Sequence, residues 1–258
     1  MGGLRRGWRT TYEAAAELTG IGVRSRTTRL VARGRDNEPA MTPRPDIAPH
    51  DVLDRVACAS LVDAMGRIHS HRAHILSLVS PAPRRLFGPV ATIAYLPHRD
   101  DLPQTDLGFG ALFHEAVGDS PAGTVLVLSS GGYPDASHGG GTKLSRIQNT
   151  GAAGVLADGR LRDFDQLAGY AFATWCRGEA TRWGGDTVMP FAANVPVEIG
   201  GVCVIPGDYV YADSSGAVVI PRASLQRVID EALSVEAEDA RSLEEIATET
   251  APRPRTQG

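Results

Sequence analysis

The chain has 258 residues, of which 42% are hydrophobic, and its formal net charge is −4. This length and composition suit one globular domain with short extensions, and the negative charge excludes a broad nucleic-acid-binding face, which needs a basic surface. The three cysteines form neither a disulfide framework nor a zinc motif, which favours a reducing cytoplasm, and no apolar run is long enough to span a membrane.

The N-terminal part of the chain differs in composition from the rest. Residues 1–40 are rich in arginine and show little apolar periodicity after Leu18. We therefore predict an extension over residues 1–45 that is disordered or lies upstream of a natural start at Met41. An α/β domain is predicted over residues 46–248 and a disordered tail over residues 249–258.

A helix is predicted from Asp51, as its N-cap, to Gly66, where glycine ends the apolar pattern. Asp63 lies among the apolar residues near the end of this helix. It can be interpreted as a solvated residue or as a carboxylate offered to a neighbouring site. Three histidines follow in residues 69–74, but no carboxylate pattern accompanies them, so solvated loop histidines are favoured over a metal site.

The central third of the chain alternates between strand and helix patterns. Strands are predicted at 88–96, 124–128, 153–158 and 170–176, and helices at 107–117, 142–150 and 162–167. The continuous apolar run at 124–128 is typical of a strand that is buried on both faces. This order predicts an α/β sheet with parallel members. The remainder is rich in short strands and closes with an amphipathic helix over 223–246.

A glycine-rich loop is predicted over residues 129–141, with the sequence SSGGYPDASHGGG. A loop of this length in a compact domain usually has a function. The helix predicted from Thr142 begins directly after it, and a helix N-terminus favours a bound anion. The order GGGTKLS does not match a P-loop, and neither a GxGxxG nor a GxSxG motif occurs. Lys143 is the only lysine of the chain, which is either chance or a sign that a compact ammonium group is required there.

Arg162 and Asp163 follow the strand predicted at 153–158. Ligands bind at this edge of open α/β sheets. A lone carboxylate with water ligands suits Mg²⁺ or Mn²⁺, so Asp163 is the predicted metal ligand. Arg162 would bind a substrate carboxylate or a developing enolate. On spacing alone, an exposed pair whose aspartate stabilises its own helix N-terminus is an equal alternative.

Several of these segments together resemble the RraA-like family. They are DGRLRD at 158–163, the glycine-rich block before it, and PGDYVYADSSGAVVIP at 206–221. This family contains the 4-hydroxy-4-methyl-2-oxoglutarate/4-carboxy-4-hydroxy-2-oxoadipate aldolases and the regulator of ribonuclease E activity. The resemblance implies a compact α/β domain of the swivelling β/β/α type with a mixed sheet. It also implies a homotrimer or a dimer of trimers, with active sites between subunits.

The resemblance further implies a metal-dependent lyase that cleaves or decarboxylates a 2-oxo acid through a pyruvate-type enolate. Arg162 would be catalytic and would bind the substrate, and Asp163 would bind Mg²⁺ or Mn²⁺. The residues whose backbone would cradle the substrate are Gly140, Gly141, Thr142 and Lys143. Asp63 would be a catalytic residue supplied by a neighbouring subunit, together with Glu236 or Glu238 on the last helix.

Gly141 is a departure from the family, since many of the aldolases have an acidic residue there that helps to activate a water molecule. Another group would then have to transfer the proton. Lys143 is the hypothesis we favour, and the alternatives are His138, Asp135 and Asp63 of a neighbour. The segment 178–190 is polar and glycine-rich, and it is either a second determinant of specificity or an ordinary connecting loop.

A second hypothesis is a non-catalytic regulator that binds another protein, as the ribonuclease E regulator does, because a fold can be shared without its activity. The Arg162–Asp163 pair is not needed for that role, so its presence favours the lyase. A methyltransferase is disfavoured, because no glycine-rich nucleoside site follows the first strand.

Overall fold

The computed structural model describes residues 52, 54–102 and 108–249. The predicted extension over 1–45, the N-cap at Asp51 and the tail from residue 250 lie outside the described residues. Among the helices that are described, none is long and apolar enough to cross a membrane.

The described residues form an α/β fold with a mixed sheet, as predicted. The helices are α1 (Cys58–Ile68), α2 (Phe109–Val117), α3 (Gly141–Thr150), α4 (Phe164–Ala168) and α5 (Leu225–Ala247), with a 3₁₀ turn at Arg222–Ser224. The strands are β1 (His74–Ile75), β2 (Leu86–Pro97), β3 (Val125–Leu128), β4 (Ser137–Gly139), β5 (Gly154–Ala157), β6 (Arg160–Leu161), β7 (Ala173–Trp175), β8 (Val188–Ala193), β9 (Val197–Ile199), β10 (Val202–Val204), β11 (Tyr209–Asp213) and β12 (Gly216–Ile220).

The main sheet joins a parallel half to an antiparallel half through β2. Strands β2, β3, β5 and β7 are parallel neighbours, as the strand–helix order predicted. Strand β2 also pairs antiparallel with β11 and, towards its end, with β8. Strand β8 was not predicted, because Pro190 interrupts its sequence. The structure tolerates this proline beside a register shift between Ala94 and Tyr95 of β2.

The parallel half of the sheet is covered on both faces. Alternate residues of β3 point to opposite sides: Leu126 and Leu128 pack with side chains of α2 and α3, whereas Val125 and Val127 pack with β9 and β10. All four side chains are fully buried. The strand is therefore buried on both faces, as its continuous apolar run predicted.

Helix α1 packs against α5 and against the antiparallel strands β11 and β12. The backbone at Ala57 is extended, so α1 begins at Cys58. It continues through Gly66 to Ile68, and the prediction that Gly66 ends the helix is therefore wrong. Glycine inside a helix costs only about 1 kcal/mol, and the burial of Leu61 and Met65 on this face outweighs that cost.

The segment predicted as one loop over 129–141 contains a short strand. Strand β4 pairs in parallel with β6, and together they form a small separate sheet. Two strands of three and two residues have no periodicity that a sequence pattern could reveal. Their pairing places the end of the glycine-rich segment beside Arg162 and Asp163.

Candidate active site

The glycine-rich segment and the Arg–Asp pair line a common cavity of about 150 Å³. The carbonyl oxygen of Gly139 accepts the Arg162 N–H at 2.9 Å, which fixes the two segments side by side. The residues that line the cavity are Ser137, Gly139, Gly140, Thr142, Lys143, Arg162, Asp163 and Trp183. Gly141, the remaining residue predicted for substrate binding, is buried next to it.

Asp163 has an uncommon backbone and an unexpected hydrogen bond. Its φ angle of 63° lies in the left-handed region, which few residues other than glycine adopt. Its Oδ2 atom accepts the N–H of Gly141, the first residue of α3, at 3.1 Å. Its own helix, α4, is instead capped by Glu179, whose carboxylate accepts the Phe164 N–H at 3.0 Å. Asp163 therefore makes no side-chain hydrogen bond to the N-terminus of its own helix.

Gly140 allows this carboxylate to approach the backbone. A Cβ atom on Gly140 would lie 2.6 Å from Oδ2 of Asp163, closer than two such atoms can come without a shift. The φ angle of Gly140 is −159°, an extended conformation that any residue adopts. Glycine is required here for close approach and not for backbone conformation.

The guanidinium group of Arg162 is available to a ligand. It is 37% exposed, and it lies 3.9 Å from the Asp163 carboxylate, beyond hydrogen-bonding distance. No other acceptor among the described residues contacts it. A guanidinium in a cavity with unused donors is suited to bind a carboxylate through two parallel hydrogen bonds.

The start of helix α3 offers further donors. The Leu144 N–H bonds to Gly140 at 3.0 Å and the Gly141 N–H is taken by Asp163. The N–H groups of Thr142 and Lys143 find no acceptor within the described part of the chain, as is usual in the first turn of a helix. These groups, together with the helix dipole, favour an anion at this end of the cavity.

Lys143 lines the same cavity with a partly buried side chain. Its Nζ atom lies 5.6 Å from the centre of the Phe109 ring, a distance at which an ammonium is attracted to the ring face. Burial, and secondly the nearby charge of Arg146, lower the pKa of Lys143 below its usual range. The amine therefore releases its proton more readily than an exposed lysine does.

Two of the alternative proton carriers are engaged elsewhere. His138 is buried, and its ring nitrogens each lie 2.9 Å from a carbonyl oxygen, of Ala136 and Ser130. Burial lowers the pKa of His138. Asp135 forms an ion pair with Arg160 at 3.1 Å and lines a different cavity.

The carboxylates expected from a neighbouring subunit lie far along the chain, on α1 and α5. Glu236 accepts the Ala57 N–H at 3.0 Å at the start of α1, and Glu238 forms an ion pair with Arg67 at 2.9 Å. Both carboxylates therefore contact residues of their own chain. Asp63 is exposed on α1 and does not line the cavity described here. Its role towards a neighbour stays a prediction.

The residues present fit a hydrated divalent cation. No group of three or more His, Cys, Asp or Glu residues in the described ranges could enclose a metal ion. Asp163 supplies one carboxylate whose Oδ1 atom is free of backbone hydrogen bonds and whose side chain is 40% exposed. Because Mg²⁺ keeps several water ligands and takes one or two carboxylates, this donor set suits it.

Trp183 is a residue of the site that the sequence did not single out. It is 57% exposed and lines both the cavity with Arg162 and a second cavity of about 590 Å³. It lies in the segment 178–190 that was predicted as either a specificity determinant or a connecting loop. No pattern in that segment distinguishes the tryptophan from its neighbours.

Comparison with known proteins finds a family whose model matches more than half of the chain. The model of the RraA-like family, described as Aldolase/RraA, matches residues 58–219. Protein DlpA of Legionella pneumophila is 26% identical over 167 residues, which cover 64% of this chain and 26% of DlpA. A Halalkalibacterium halodurans protein, provisionally named a 4-hydroxy-4-methyl-2-oxoglutarate aldolase, is 30% identical over 125 residues, which cover 48% of this chain and 59% of that protein. The matches thus span less than two thirds of these relatives.

The fold is similar to that of a solved family member. RraAS2 of Streptomyces coelicolor, described as an unusual member of the RNase ES inhibitor RraA protein family, superposes with a TM-score of 0.68 and 28% identity. The likeness covers 78% of this chain and all of that one.

Proposed function

The chain belongs to the RraA-like family, and we propose that it is a divalent-metal-dependent lyase acting on a 2-oxo acid through a pyruvate-type enolate. The observation that carries this proposal is the meeting of three features at one small cavity. They are the Arg162 guanidinium, which makes no hydrogen bond within the described residues, the Oδ1 atom of Asp163, and the first-turn N–H groups of helix α3. The name of the H. halodurans relative supports the aldolase class.

The substrate carboxylate would be bound by Arg162 and by the N–H groups of Thr142 and Lys143. A Mg²⁺ or Mn²⁺ ion held by Asp163 and water would polarise the 2-oxo group. When the C3–C4 bond breaks, its electron pair would stay on the pyruvate fragment as an enolate, and Arg162 would stabilise that negative charge. In an aldol substrate, the C4 hydroxyl must lose its proton as it becomes a carbonyl.

Lys143 is the proposed acceptor of that proton. It lines the cavity, and its lowered pKa gives a neutral amine at lower pH than an exposed lysine would have. The same proton would then return to C3 and release pyruvate. Decarboxylation of an oxaloacetate-like substrate requires no such acceptor, because CO₂ carries no proton away. A Lys143→Ala variant should therefore lose aldol cleavage while keeping decarboxylation.

We also propose that the chain forms a homotrimer or a dimer of trimers, in which Asp63 of a neighbour completes the site. Asp63 is exposed, so its substitution by alanine should leave stability within about 0.5 kcal/mol of the wild type. Lower turnover in Asp63→Ala, together with a trimeric or hexameric mass in light scattering, would support this assembly.

The alternative is a protein-binding regulator without catalysis. The likeness to RraAS2, whose whole chain is covered, favours this reading. It requires neither Arg162 nor Asp163, and it gives no reason for the close approach of Asp163 to Gly140.

Pyruvate release from oxaloacetate and from 4-carboxy-4-hydroxy-2-oxoadipate distinguishes the two. It should be measured with Mg²⁺ or Mn²⁺ and with EDTA, for the wild type, Asp163→Ala and the control Asp165→Ala, whose carboxylate is exposed outside the cavity. The lyase predicts turnover that EDTA and Asp163→Ala abolish and Asp165→Ala retains. If neither compound is turned over and pyruvate does not bind in the presence of metal, the regulator is favoured.

A further inference from the structure

A second, larger cavity adjoins the proposed catalytic cavity. Its volume is about 590 Å³, within the range of small-molecule sites, and it shares Ser137 and Trp183 with the smaller one. The smaller cavity has room for the reacting carbons of a 2-oxo acid and for little else. A longer substrate would therefore extend past Trp183 into the second cavity.

Five apolar side chains, two of them aromatic, form part of the wall of this second cavity. Tyr133 and Trp183 are 45% and 57% exposed, so both rings are accessible to a ligand in the cavity. Pro134, Ala136 and Ala180 complete the apolar lining. Aromatic side chains bind flat, uncharged groups through large contact areas and stacking.

The charged groups of the cavity already have partners. Arg160 pairs with Asp135 at 3.1 Å and also donates to the Glu179 carbonyl at 3.3 Å. Arg182 pairs with Asp186. The four charged residues that line the cavity, Asp135, Glu179, Arg160 and Arg182, carry two negative and two positive charges.

The Glu179 carboxylate, in turn, caps helix α4 through the Phe164 N–H. A substrate carboxylate in this cavity would thus meet no net positive charge and two guanidinium groups that are already paired. It would lose hydration without gaining a cation of its own, which is unfavourable.

Trp183 lines both cavities and directly precedes a tight turn of the backbone. The carbonyl oxygen of Gly184 accepts the N–H groups of Thr187 and Val188, each at 2.9 Å, which closes a tight turn. Gly184 packs so closely on the backbone of Ser137 that a Cβ atom would overlap it, and the indole lies over Gly185 in the same way. The turn therefore fixes the backbone that carries the indole ring.

We propose that the second cavity binds the part of the substrate beyond its reacting carbons, and that this tail is uncharged and apolar or aromatic. This inference rests on the proposed lyase function. In the reaction, the C3–C4 bond breaks, the electron pair stays on C3, and the C4 hydroxyl loses its proton to become an aldehyde that carries the tail. The products are pyruvate and this aldehyde, and no oxidant or reductant is required.

The test compares two aldol substrates that differ only in the C4 substituent: 4-hydroxy-2-oxo-4-phenylbutanoate, with an aromatic tail, and 4-hydroxy-2-oxoglutarate, with a carboxylate. The expected kcat/KM for pyruvate release is about tenfold or more higher for the phenyl compound. Tyr133→Ala, which removes a ring that lines only the second cavity, should lower kcat/KM for the phenyl compound by about tenfold, mainly through KM. The control Phe191→Ala removes an aromatic ring that is 43% exposed but lines neither cavity, and it should change nothing.

The exchange of the methyl protons of pyruvate with deuterated water tests the lyase separately from the subsite, because pyruvate has no tail. Exchange that persists in Tyr133→Ala, with the phenyl preference lost, supports the subsite. Exchange combined with a preference for the carboxylate compound, or with an unchanged kcat/KM in Tyr133→Ala, overturns the subsite and leaves the lyase standing. No exchange in the wild type overturns the lyase, and the subsite falls with it.

Discussion

Arg162 and Asp163 are adjacent in sequence, but their charged groups lie 3.9 Å apart, beyond hydrogen-bonding distance. The left-handed backbone of Asp163 turns its carboxylate away from the helix it precedes and towards helix α3. Uncommon backbone conformations at polar residues are concentrated at functional sites, because the surrounding fold must compensate their cost. Within the described residues, the Arg162 guanidinium therefore makes no hydrogen bond, and Oδ1 of Asp163 accepts none.

Arg162→Lys tests the role of the guanidinium. Lysine keeps the charge but cannot form two parallel hydrogen bonds to a carboxylate. We expect kcat/KM for oxaloacetate to fall by about 10- to 100-fold. The free energy of unfolding should be unchanged, since the side chain is partly exposed and makes no hydrogen bond within the described residues. Steady-state kinetics and urea denaturation measure the two quantities. Unchanged kinetics would remove Arg162 from the site.

The lowered pKa of Lys143 predicts that the affinity for pyruvate changes with pH on the alkaline side. Burial lowers its pKa, so its positive charge is lost, as pH rises, earlier than that of an exposed lysine. If the ammonium attracts the substrate, affinity for pyruvate should be constant near neutral pH and fall on the alkaline side. Arginine stays charged throughout, so the fall should be absent in Lys143→Arg. Calorimetric titration with pyruvate across this range would reveal it, and an identical profile in both proteins would assign the fall to another group.

Short elements bring the site together. Strands β4 and β6 are only three and two residues long, yet their pairing places Gly139 and Gly140 against Arg162. Helix α3 then begins at Gly141, where its first N–H meets Asp163. The precision of the site depends on how closely these backbones can approach one another.

Gly140→Ala tests that close approach. The added methyl group would overlap Oδ2 of Asp163 and displace the carboxylate, while the extended backbone at residue 140 accepts alanine. We expect the protein to fold normally and its affinity for Mn²⁺ to fall by about tenfold, as for other changes next to a metal ligand. Gly139→Ala is the matched control, because its methyl group would meet only ordinary contacts, at 3.6 Å from Leu144. Equal metal affinities in the two variants would contradict the account.

The sequence predicted the longer elements and the main charged pair, because these carry local signals. The apolar run of β3 and the periodicity of α3 were recognisable, and Arg162–Asp163 directly followed a strand. The sequence did not reveal β4, β6 or β8, whose pairing depends on distant partners. Trp183 was missed for the same reason, since only the turn at Gly184 brings it to Ser137. The end of α1 was misplaced because tertiary burial outweighed the local preference of Gly66.

At the scale of the whole molecule, α1 and α5 close the antiparallel side of the sheet. Glu236 of α5 accepts the N–H of Ala57 at 3.0 Å and the hydroxyl of Ser60 at 2.6 Å, and so caps α1. Arg67 adds ion pairs to Glu231 and Glu238, but these are exposed. Exposed pairs contribute little, so the cap is the stronger polar contact between the two helices.

Glu236→Ala should therefore lower the free energy of unfolding by about 1–2 kcal/mol, because it leaves donors at the start of α1 without a partner. Turnover per folded molecule should be unchanged. Glu231→Ala, which removes one exposed ion pair, should cost less than about 1 kcal/mol. Urea denaturation and turnover assays provide both comparisons. Lost turnover in a stable Glu236→Ala protein would instead assign this carboxylate to the active site of a neighbouring subunit.

The most direct measurement of the central claim is the exchange of the methyl protons of pyruvate with deuterated water, followed by proton NMR. This exchange requires only the formation of the enolate, so it does not depend on the identity of the natural substrate. The proposed metal-dependent lyase predicts exchange with Mg²⁺ or Mn²⁺ that EDTA, Arg162→Ala and Asp163→Ala each abolish. No exchange by the wild-type protein with either metal would contradict the account and would leave the fold with a binding role.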